Sequence, residues 1–113
     1  MYSSARTYQN NGGVNQYLMK EILEASPEQL LMKVYDYAIV NAQKKDMAKT
    51  NSALQELINA LRYDGGEEVK EFSLGLLKLY NFCKEQTRKG NFDVVHEILT
   101  ELRNSWLQIF KKK

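Results

Sequence analysis

The stretch Ala25-Ser26-Pro27-Glu28-Gln29-Leu30-Leu31-Met32-Lys33-Val34-Tyr35-Asp36-Tyr37-Ala38-Ile39-Val40-Asn41-Ala42 decides how the rest of the chain is read. Ser26 stands where an N-cap belongs. Pro27 suits a first helical position, where its missing N–H costs nothing, and Gln29 is placed to return a capping-box bond. Behind this start come Leu30, Leu31, Val34, Tyr35, Ala38, Ile39 and Ala42, an apolar stripe at 3.6-residue spacing. The spacing predicts an amphipathic helix from Pro27 onward.

The same pattern recurs downstream. Asp46 is expected to cap a helix with Met47, Leu54, Leu57, Ile58 and Leu61 inward, ended by Gly65. Glu67 and Glu68 open another with charges that suit its positive end. Its stripe is Val69, Phe72, Leu76, Leu79, Tyr80 and Cys83. Gly90 closes it, Asn91 caps the next, and Phe92, Val95, Leu99, Leu102, Trp106 and Ile109 form the last stripe. Four long helices on short turns must be antiparallel neighbours, so the expected fold is all-α, an antiparallel up-and-down four-helix bundle. Upstream, Val14, Leu18 and Ile22 predict a short helical extension over about 14–24. Residues 1–13 are polar, with Tyr2 and Tyr8 among them, and read as a mobile N-terminal segment. They are either a frayed terminus or a segment that docks on the body through its rings.

A chain of 113 residues suits a single domain spanning 1–113. Charged residues are 27% of it and the net charge is +2, with acids and bases interleaved. That balance argues against nucleic acid as a partner, which calls for a concentrated basic face. The basic run Lys111-Lys112-Lys113 suits a helix C-terminus. No apolar run reaches the roughly 18 residues of a membrane span, so no membrane insertion is expected. A single cysteine, Cys83, in an apolar stripe reads as a buried thiol, and with no apolar leader at Met1–Arg6 a cytoplasmic location is expected.

Nothing converges into a catalytic site, so no enzyme, cofactor or metal is expected. The one histidine, His96, has Asp93 three positions before it. A di-iron bundle needs that pair twice, with further carboxylates. Neither Gly12-Gly13 nor Gly65-Gly66 carries a phosphate-loop pattern. Apolar excess is the unusual feature. Tyr37, Val40, Leu74, Leu77, Phe82, Val94, Leu107 and Phe110 all lie off the core stripes. They either widen the core faces or form a second apolar surface for a partner, of which an amphipathic helix is the simplest.

The run from Asn15 to Ile39, with Tyr17, the Ala25-Ser26-Pro27-Glu28-Gln29-Leu30 turn and Tyr35-Asp36-Tyr37-Ala38-Ile39, resembles the N-terminal signature of FliS, the flagellar secretion chaperone. Leu61-Arg62-Tyr63-Asp64-Gly65-Gly66 resembles the family's Leu-Asp…Gly-Gly turn, and Leu102-Arg103-Asn104-Ser105-Trp106 its Leu-Arg-x-x-Trp ending. The likeness runs in order over nearly the whole chain. It departs at Val34, where the family has Leu, and at Tyr37, where it has Gly. The resemblance implies a bundle that binds the disordered C-terminal segment of flagellin in the cytoplasm, prevents premature polymerisation and serves the flagellar export apparatus. It implies partner contacts at Tyr8, Tyr17, Leu18, Ile22, Leu23, Leu31, Tyr35 and Ala38. It also implies that the N-terminal segment can occupy part of the client groove. The rival reading is a helical adaptor or regulator that binds a different, folded protein.

Overall fold

The computed structural model describes residues 27–111. Backbone contacts divide the chain into two compact units, Met1–Leu30 and Leu31–Lys113. The expected extension over 14–24, the Ser26 cap and the segment 1–13 lie outside the described residues.

Those residues form four helices, α1 (Pro27–Gln43), α2 (Met47–Asn59), α3 (Glu67–Arg88) and α4 (Phe92–Lys111), with no strand among them. They make the expected four-helix bundle. Its core takes Tyr35, Ala38 and Ala42 from α1, Ala53, Leu54 and Leu57 from α2, Leu76, Tyr80 and Cys83 from α3, and Phe92, Val95 and Leu99 from α4. Each large side chain among them stabilises the fold by about 1.5–3 kcal/mol on burial.

The turns explain why the helices stop. After α1, Lys45 N–H donates to Ala42 O and Asp46 N–H to Asn41 O. After α3, Gly90 N–H donates to Thr87 O and Asn91 N–H to Gln86 O. Both are Schellman closures, which need a left-handed residue. Gly90 supplies it at φ 82°, and Lys45 does so at φ 59° despite its side chain. Asp46 then caps α2, its Oδ1 accepting from Lys49 N–H at 2.9 Å. Asp46→Ala should lower stability by about 1 kcal/mol. A thermal melt unchanged within error would remove the cap from the argument.

The helix expected to run to Gly65 ends earlier, at Asn59. Ala60 N–H still bonds Glu56 O, and Leu61 N–H tightens back to Ile58 O. The chain is then drawn away because the Ser73 hydroxyl of α3 donates to Arg62 O. Gly66, at φ 107°, turns it into α3.

Five residues expected to face inward are exposed instead: Leu30, Met47, Val69, Phe72 and Ile109. Each lies near a helix end. With 13 residues, α2 spans about 20 Å, against about 33 Å for the 22 residues of α3. Ser73 of α3 meets Arg62 beyond the end of α2, so the turns of α3 before it run past that helix.

A polar seam sets the register of α2 against α3. Thr87 Oγ1 donates to Asn51 Oδ1 at 2.5 Å, and Lys84 Nζ to Gln55 Oε1 at 2.7 Å. Arg103 of α4 pairs with Asp36 of α1 at 2.5 Å.

Candidate functional site

Beside the end of α2, the overhang leaves an open groove of about 220 Å³. Leu31 of α1, Leu57 and Ala60 of α2, the Leu61-Arg62 connection, Phe72, Ser73, Leu76 and Tyr80 of α3, and Trp106 of α4 line it. Trp106 is the hinge of its aromatic wall. Phe72 meets it edge-on at 6.0 Å between ring centroids, and Phe110 stacks on it at 5.8 Å. Such pairs are favourable beyond their burial alone. Phe72 remains 56% exposed at the rim.

Beneath the wall lies a buried polar chain. Trp106 Nε1 donates to the Tyr35 hydroxyl at 3.0 Å, and the Tyr35 and Tyr80 hydroxyls are 2.6 Å apart. Tyr35 thus joins α1, α3 and α4 at one point. Burial pushes the acidity of both phenols down, raising each pKa above 10. Burial also pushes the Cys83 thiol up to about 11 from 9. These raised values mean that the folded state holds its protons more tightly than the unfolded chain. The stability they contribute is present below about pH 9 and is lost as pH rises through 11. The melting temperature should be level near neutrality and fall above pH 9. A curve still flat at pH 10.5 would contradict this.

Of the residues that the family resemblance implies, Leu31 lines the groove, half-buried. Tyr35 and Ala38 are core side chains at 0% exposure. Their stripe is the one that must seal the bundle. Tyr8, Tyr17, Leu18, Ile22 and Leu23 lie outside the described residues. The groove residues Phe72, Tyr80 and Trp106 were legible only as core stripe.

The apolar excess is partly explained. Tyr37, Val40, Leu74, Phe82 and Val94 are exposed, as a second apolar surface requires, while Leu77, Leu107 and Phe110 are partly buried, as wide core faces require. A second cleft at the opposite end, between Lys45 and Gly90–Val94, has no such aromatic wall. Among the described residues no three potential metal ligands come together, and no helix is long and apolar enough to cross a membrane. The site therefore defines a helical bundle with an apolar, aromatic-walled groove. Comparison with protein-family models, curated proteins and solved structures finds no match to this chain.

Proposed function

We propose that the bundle is a chaperone whose groove holds an apolar segment of an unfolded client, and that the client is the C-terminal segment of flagellin. The observation that carries the first half is the open groove with the Phe72 ring left 56% exposed on its rim. An exposed aromatic beside an apolar slot gains most from covering by another chain. A disordered client loses conformational entropy on binding, so it needs such a surface in return. The sequence resemblance to FliS supports the choice of flagellin, a cytoplasmic site of action and delivery to the flagellar export apparatus.

Flagellin with and without its C-terminal segment, presented to the immobilised protein, tests this reading. Full-length flagellin should be retained and the truncated form lost. Equal retention of both would favour an adaptor that recognises a folded partner. Retention of neither would remove flagellin as the client.

A further inference from the structure

Arg62 is the charged residue among those described as lining the groove. The Ser73 hydroxyl there donates to the Arg62 carbonyl, the Trp106 N–H donates to Tyr35, and the Tyr80 hydroxyl lies buried against Tyr35. The Ser73 bond holds the Arg62 backbone at the groove and leaves its side chain 77% exposed. A carboxylate already stands beside that side chain. Arg62 Nε lies 3.5 Å from Asp64 Oδ1, and Nη2 lies 3.5 Å from Asp64 Oδ2. Both distances exceed the roughly 2.7–2.9 Å usual for a charge-assisted bond. The Asp64 side chain is 78% exposed, so water can replace the pair at little cost. Asp64 thus occupies the guanidinium without fastening it.

We propose that the groove takes a client segment in which an acidic side chain adjoins a bulky apolar one: the apolar side chain enters the slot beside Phe72 and Trp106, and Arg62 exchanges Asp64 for the client's carboxylate. This deepens the client-binding reading and rests on it. The space of about 220 Å³ suits one or two side chains of leucine size. A guanidinium fork matches a carboxylate through two parallel bonds. Asp64, only two residues along the same chain, reaches that fork at stretched distances. A carboxylate on a separate chain is free to meet it squarely. The gain in affinity is modest, because the site is open to water. Its sign gives selectivity. Of two clients with equal apolar side chains, the one with an adjoining acid is favoured, and one with Lys or Arg there is repelled. Arg62 is thus a specificity-determining residue, and Asp64 its internal competitor.

The test uses the whole chain and two capped peptides, acetyl-Leu-Leu-Glu amide and acetyl-Leu-Leu-Gln amide, which differ by one charge and are chosen without reference to flagellin. Trp106 is the only tryptophan, so its fluorescence reports the groove directly. At low salt the Glu peptide should bind the wild type about two- to fivefold more tightly than the Gln peptide, the range of an exposed ion pair. Arg62→Gln should abolish that preference and leave the affinity for the Gln peptide unchanged. The variant should fold, because Ser73 bonds the backbone at this position and not the side chain. Asp64→Asn should widen the preference by removing the internal competitor. Equal affinities for the two peptides, a preference that survives Arg62→Gln, no widening in Asp64→Asn, or no saturable binding overturns the proposal. The Gln peptide with a free terminal carboxylate should gain less than the Glu peptide does. An equal or larger gain would assign the site to a chain end and overturn the side-chain reading. Binding of a flagellin C-terminal peptide is measured in parallel. Failure of that peptide alone would reject flagellin and keep the acid-reading groove.

Discussion

Tyr35→Ala should abolish cooperative folding at physiological temperature. The ring is fully buried where α1, α3 and α4 meet. Removing a buried aromatic ring typically costs about 3–5 kcal/mol through lost burial and the cavity left behind. Here the substitution also strips the acceptor from Trp106 N–H and the partner from the Tyr80 hydroxyl. A buried polar group left without its bond adds about 1–3 kcal/mol. Total stabilities of domains this size are about 5–15 kcal/mol, so most of the margin goes. If the variant folds at all, its midpoint should fall by roughly 20 °C. Circular dichroism during a thermal ramp reads this directly. A drop of under about 5 °C would mean that Tyr35 is not the centre of the core.

Phe72→Ala should do the opposite: keep the fold and lose the client. The side chain is more than half exposed and its main described contact is the edge of Trp106. Loss of that pair costs about 1 kcal/mol of stability, a shift of about 5 °C. If the proposed client covers this ring, binding should suffer far more than stability. A tenfold or larger loss of affinity for a flagellin C-terminal peptide is expected, as for an aromatic anchor at the centre of an interface. Phe82→Ala is the matched control. Phe82 lies on the same helix at 46% exposure but does not line the groove. Affinities for the two variants, measured by calorimetry, should differ at least fivefold. Equal losses would show that binding follows general surface hydrophobicity and that the groove has no special part in it.

The sequence alone determined the helices, the bundle and most of the core. Apolar spacing places Tyr35, Leu54, Leu57, Leu76, Tyr80, Val95 and Leu99 on inward stripes, and all are buried. Asp46 announced its cap because capping depends on neighbours three residues away. Such features are local, so a linear reading reaches them. Where each stripe stops being covered is not local. Val69, Phe72 and Ile109 continue their stripes without fault, yet they are exposed near helix ends. Only the early end of α2 and the Ser73 bond to Arg62 O, eleven residues apart, open the groove there. Tyr35 shows the same limit from the other side. Its stripe position is plain in the sequence, but its bonds to Tyr80 and Trp106 cross 45 and 71 residues. Periodicity specifies which way a side chain faces along its own helix. Helix lengths, crossings and long-range hydrogen bonds decide what it meets, and these arise only when the four helices pack together.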